Sequence, residues 1–193
     1  MNYSLPKTVN IDGTEHAIRY DFRVILDILE MLNDPELNNA DKAEALIIMF
    51  YVDPEKIRSP QKAVEACFSF IDQGKPHGRK SPKLIDWEQD FDYIIAPVNR
   101  VLGYECRALE YNQEENTGGL HWWTFLSAYM EIGSECLLSQ IISIRDKRVR
   151  GKTLEKHERE WYNRNRDLVE LKHTYTAAED ELVNQWLGGD KHG

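Results

Sequence analysis

Leu120-His121-Trp122-Trp123-Thr124-Phe125-Leu126-Ser127-Ala128-Tyr129-Met130, running on through Leu137, Leu138, Ile141 and Ile142 to Ile144, is the longest strongly apolar segment of the chain. Leu120, Trp123, Leu126 and Met130 recur at helical spacing, and Gly133, Leu137 and Ile141 continue that face. Trp122, Phe125, Tyr129 and Ile132 form a second stripe about a third of a turn away. A helix apolar over so wide an arc is buried on several sides, so the first expectation is a central core helix. The alternative is an exposed partner-binding face, because Trp and Tyr are favoured at interfaces. The two tryptophans are expected to differ in burial, one in the core and one near a groove.

N-terminal to this segment the pattern changes period. Residues 3–20 read as a hairpin: Thr8-Val9-Asn10-Ile11 alternates, Asp12-Gly13 is a strong turn dipeptide, and Ala17-Ile18-Arg19-Tyr20 alternates again. A lone hairpin is marginal, so it must lie on helices or pair with another chain, which makes it a candidate for self-assembly. Asp21 can cap a helix over Phe22–Leu32, with Phe22, Ile25, Leu29 and Leu32 on one face. A second helix is expected from Asp41, where Glu44 completes a capping-box spacing, with Ala45, Ile48, Met49 and Val52 as its apolar residues. Ser59-Pro60 starts a third, capped by the serine. Residues 73–82 hold two Gly and two Pro and read as a loop that lacks the ending of a phosphate-binding motif. A fourth helix spans Leu84 to Leu102, with Pro97 expected to kink or split it and Asp86, Glu88, Asp90 and Asp92 on a solvated acidic face. Tyr104 to Gly119 reads as a connector ending in a flexible stretch.

C-terminal to the apolar segment, Arg145, Lys147, Arg148, Arg150 and Lys152 make a basic cluster, read as a solvated linker or a partner surface. A charged helix over Leu154–His173 carries a thin stripe of Leu154, Trp161, Leu168 and Leu171, suited to one-sided packing. Thr176 and Glu179 open a last short helix with Leu182, Val183, Trp186 and Leu187. The architecture expected is mainly α: a single multi-helix domain over residues 1–150 with the N-terminal hairpin, then a charged helical extension over 151–193. The candidate partner-binding side chains are Trp122, Trp123, Phe125, Tyr129, Trp161 and Trp186.

Composition narrows the function classes. The 193 residues, 41% hydrophobic and 30% charged, suit one globular domain. No stretch approaches the roughly 18 uninterrupted apolar residues of a membrane span, and residues 1–6 lack the features of a secretory signal. Cys67, Cys106 and Cys136 are odd in number, scattered and set among apolar residues, which reads as buried thiols in the cytoplasm. A net charge of −9 argues against general affinity for nucleic acid. The six histidines never fall at a helical zinc spacing, and His121 reads as a hydrogen-bonded core or helix-end residue. No nucleophile elbow and no activated cysteine is indicated, so neither an enzyme nor a cofactor is expected.

Three sets of residues combine into a resemblance. The hairpin leads into Tyr20-Asp21-Phe22-Arg23; Asp86-Trp87 is followed by Asp90 and the helix to Tyr104; and Leu120-His121-Trp122-Trp123-Thr124-Phe125-Leu126 leads to Ile144-Arg145. In that order the chain resembles, over residues 3–150, a tailed-phage family known as gene product fifteen, of siphophages and prophages. The resemblance implies a tail assembly chaperone of the host bacterial cytoplasm, one that holds the tape measure protein soluble while tail tubes form and that carries no catalytic residues. It implies tape measure protein as partner and leaves room for self-association. A structural tail or connector component of the virion is the alternative, and a small nucleic-acid-binding regulator acting through Arg145–Lys152 is a third.

Overall fold

The computed structural model, which describes residues 4–75 and 82–172, is mainly α, with an N-terminal β-hairpin. Two compact units divide the described residues, one of 4–75 with 106–126 and the other of 82–105 with 127–172.

In the first unit, Asp12 and Gly13 take φ of 51° and 83°, the paired positive values of a tight hairpin turn. They join β1 (Thr8–Ile11) to β2 (Thr14–Ala17) in antiparallel register, Thr8 opposite Ala17 and Ile11 opposite Thr14. The hairpin therefore pairs within the chain. It packs on α3 (Pro60–Ile71), which also contacts α2 (Asn39–Phe50), and α2 lies on α1 (Phe22–Leu32). Their shared core includes Ile18, Ile25, Ile28, Leu46, Phe50 and Tyr51, all fully buried, with the Tyr51 hydroxyl donating to the Ala63 carbonyl at 2.8 Å.

Helix starts follow local side chains more than spacing. Asn38, not Asp41, caps α2, its Oδ1 accepting from the amides of Ala40 and Asp41. The inward face is accordingly Ala43, Leu46, Ile47 and Phe50, while Ile48, expected to be buried, is 54% exposed. Ser59 precedes α3 without a capping bond; its hydroxyl donates instead to Asp12 in the hairpin turn. The C-terminal carbonyls of α2 are met by Arg19, whose Nη1 donates to Ile48 at 2.9 Å, to Met49 at 3.1 Å and to Tyr51. The connector expected to be flexible holds a second small hairpin, β3 (Tyr111–Asn112) with β4 (Thr117–Gly118).

The apolar segment does not form one helix. It splits into α5 (Trp122–Met130) and α6 (Leu137–Val149). Gly133 lies in the gap, where the Ser139 hydroxyl donates to its carbonyl at 2.9 Å, and Cys136 caps α6 by accepting from the Ser139 amide at 3.4 Å. Such local side-chain bonds compete with helix continuation. Cys136 is thus a partly exposed cap rather than a buried thiol, whereas Cys67 and Cys106 are buried. In α5 the buried stripe is Trp122, Phe125 and Ala128, and Met130 of the other stripe is 53% exposed.

The second unit packs α6 against α4 (Trp87–Leu102) and α8 (Arg166–Val169), with α7 (Lys156–Arg164) against α8. The 150/151 boundary expected from sequence falls between α6 and α7, inside this unit. Helix α4 runs through Pro97 without splitting, and it ends at Gly103 with φ 79°, the left-handed closure that glycine adopts without strain. The charged segment expected as one helix breaks at Asn165, and its packing partners are Ile144, Tyr162 and Val169, flanked by Leu154 and Trp161.

The acidic face of α4 is the largest correction. Asp86 caps the helix, accepting from the Gln89 amide at 3.0 Å, and Asp90 is fully buried. Asp90 takes both ends of the Arg145 guanidinium, at 2.5 and 3.0 Å. The remaining Arg145 donors reach the carbonyls of Leu84 (2.9 Å), Leu168 (2.9 Å) and Val169 (2.7 Å). The guanidinium carries five N–H groups, and five bonds account for them. One buried cation thereby ties α4, α6 and α8.

Candidate partner-binding site

Two of the three residue sets that carry the resemblance meet in the first unit. Asp21 caps α1 through the Arg23 amide at 3.0 Å and pairs with the Arg23 side chain at 2.7 and 3.0 Å. Its Oδ2 also accepts from the Leu120 amide at 2.8 Å. The backbones then cross-bond: the Phe22 amide donates to Leu120, and the Trp122 amide to Tyr20. The rings of Tyr20 and His121 stack at 5.3 Å and 15°. Each Asp21 oxygen thus accepts two bonds, Oδ1 from the Arg23 amide and Nε, Oδ2 from Arg23 Nη2 and the Leu120 amide, and the carboxylate is committed to holding the chain.

His121 is the helix-end residue that its position suggested. Its Nδ1 accepts from the Trp123 amide at 3.1 Å and Nε2 donates to the Pro6 carbonyl at 2.8 Å, which fixes the neutral tautomer. Burial pushes its pKa below the ordinary value, helped by nearby Lys7 and opposed by the bond to Pro6.

The adjacent tryptophans grip the end of α3. Trp122 Nε1 donates to the Ile71 carbonyl at 2.9 Å, an acceptor at the helix C-terminus, and Trp123 Nε1 donates at 2.7 Å to the Phe70 carbonyl, which also accepts from the Gln73 amide. Trp122 is 1% exposed and Phe125 fully buried, their rings stacked at 5.8 Å. Trp123 is half-buried against Phe70. Among the first-unit candidates, then, only Trp123 offers a partner any surface. In the second unit, Tyr129 is half-buried beside Trp87, its phenol pushed up to about 12 by burial, and Trp161 flanks the Ile144–Tyr162–Val169 cluster. Trp186 lies outside the described residues.

A different surface has the shape of a binding site. Helix α2 and residues 54–60 line an open groove of about 560 Å³, within the roughly 300–1,000 Å³ of ligand-sized clefts. Its apolar wall is Ala40, Ala43, Ile47, Ile48, Pro54 and Ile57, and its ionisable residues are Glu44 and Glu55. The groove arises because Ala45-Leu46-Ile47-Ile48-Met49-Phe50 is six consecutive apolar residues on one helix. They cannot all face the core, and Ile48 is left in solvent. That run is the signal for the groove, since helical spacing alone turns Ile48 inward whereas six apolar residues in a row must leave some outside.

The basic cluster offers less than its sequence suggests. Arg145 is buried, Lys147 pairs with Glu158, Arg148 with Glu170 at 2.6 Å, and Arg150 with Asp146 at 2.6 Å. Glu158 and Glu170 are held below the usual carboxylate range, first by bonds from Lys147 and from the Tyr162 hydroxyl, respectively. Cations neutralised in place have little left for phosphates. Among the described residues no helix is long and apolar enough to cross a membrane.

Compared with known families, the chain matches over residues 1–171 the family model described as Bacteriophage Gp15 protein. No curated protein and no solved structure matches the chain.

Proposed function

The chain belongs to the bacteriophage Gp15 protein family, and from that premise we propose that it is a tail assembly chaperone that binds the tape measure protein and keeps it soluble in the host cytoplasm. Membership of a phage family supports a structural or assembly role. The observation that carries the assembly reading is the open apolar groove along α2. A long helical client exposes apolar stripes at i, i+3 and i+4, and a groove of this kind covers such a stripe without chemistry. Several copies along one client would add avidity while each contact stays weak enough to be released when the tube closes.

The test is co-expression with the tape measure protein of the same genome, followed by pull-down and light scattering of the soluble fraction. A soluble complex that depends on this chain is the expected result. Insoluble, unbound tape measure protein overturns the reading. Recovery of the polypeptide from purified mature particles would favour a structural tail or connector component instead.

A further inference from the structure

Resting on the chaperone reading, we propose that the α2 groove selects its occupant by charge: it takes an amphipathic helix of a partner protein whose apolar stripe is bordered by lysine or arginine. Ala43 and Ile47 are nearly buried and form the floor, whereas Ile48 stands 54% exposed on the wall. Glu44 lies one turn before Ile48 on the same side of α2, and Glu55 sits across the groove on the 54–60 segment. No lysine or arginine is among the lining residues. The neighbouring Lys56 lies outside the lining and is engaged first by Asp53 at 2.7 Å, with Glu55 a lesser influence on it. An apolar floor between two acidic rims attracts a stripe flanked by cations and repels one flanked by anions.

The same argument disfavours occupants from this chain. Residues Glu179-Asp180-Glu181 make the C-terminal stretch acidic, and a second copy carries a net charge of −9. Like charges at the rim oppose both. A basic-flanked helix of another protein is the occupant that matches.

The experiment uses the full-length chain and labelled synthetic helical peptides with a leucine stripe at i, i+3, i+4 and i+7. The flanking positions are all lysine in one peptide and all glutamate in another, and a third has the lysine composition with the stripe scrambled. Fluorescence anisotropy should show the lysine-flanked peptide binding about tenfold or more tighter than either other. Ile48→Asp should weaken that binding about tenfold, because it places a charge on the apolar wall. Glu44→Lys/Glu55→Lys should reverse the flank preference. All three positions are exposed, so circular dichroism melts should match the parent; if Ile48→Asp does unfold, the rim variant still decides. Equal binding of the scrambled peptide, or an unchanged preference in the rim variant, overturns the proposal.

Co-expression separates this from the broader reading. Tape measure protein kept soluble by the parent but not by Ile48→Asp supports the groove assignment. Equal solubility with a folded Ile48→Asp chain overturns the groove and leaves the chaperone reading standing. Discrimination among peptides without any effect on the tape measure protein overturns the chaperone reading and keeps the groove's charge selection, for another client.

Discussion

A methyl group added at Gly119 would sit 2.0 Å from Oδ2 of Asp21, on a backbone whose φ is already +68°. Gly119→Ala should therefore break the Asp21–Leu120 joint and cost about 3–5 kcal/mol, the scale of disturbing a buried charged network. Gly103→Ala, at φ +79° with open space around it, should cost only the backbone strain, about 1–2 kcal/mol. Urea denaturation of the two variants checks the difference, and equal losses would remove the steric argument. His121 gives a pH signature. Its folded pKa is lowered, so as pH falls below the unfolded value of about 6.5 the unfolded chain takes up a proton that the native ring refuses. Stability should fall through that window and level off below the folded pKa. His121→Asn, which keeps a capping acceptor, should flatten the slope of melting temperature between about pH 7.5 and about pH 5.5. At this scale the sequence was informative where neighbours decide: the Asp21 cap and the helix-end His121 follow from adjacent residues. Gly119 carried no such signal, because the atom it must avoid is nearly a hundred positions away.

Elements were legible as far as their type and order, and less so in how their faces turn. Helices α1, α3 and α4 lie where their periodicity places them, and so do the hairpin's turn and first strand; its second strand is Thr14–Ala17, set by the register across Asp12-Gly13, not the alternating Ala17–Tyr20. The single long helix was overread because apolar spacing continues across Gly133 and Cys136, whose local bonds end one helix and start the next. Alternating carboxylates on α4 look solvated until their partner is known, and Arg145 lies 55 positions from Asp90. Asp90→Ala should strand Arg145 without its counter-charge and destabilise the chain by about 3–5 kcal/mol. Arg145→Met should be comparably damaging, since it leaves three carbonyls unpaired as well. The two should be strongly non-additive, the double variant costing little more than Arg145→Met alone. Additive losses in denaturant melts would mean that the pair is not the source.

For the molecule as a whole, the charge total was a better guide than the charge pattern. The net −9 agrees with a groove edged by Glu44 and Glu55, whereas the basic run that hinted at nucleic acid is largely absorbed by intramolecular pairs. The groove itself was hidden for a simple reason: a concave surface needs two segments, and its second wall is a short turn at residues 54–60 with no periodicity to read. Arg145 has one more consequence, and it concerns where the chain can be cut. It holds α8 by the carbonyls of Leu168 and Val169, a grip that depends on main chain being present there and adds to the packing of the Val169 side chain against Ile144 and Tyr162. A polypeptide stopped at Lys172 retains the five acceptors; one stopped at Gly151 leaves two donors facing the interior with nothing to meet. Limited proteolysis should show the first to be as resistant as the parent over residues 82–172 and the second to be degraded. The last acceptors that Arg145 requires are thus supplied by main-chain atoms that every amino acid possesses.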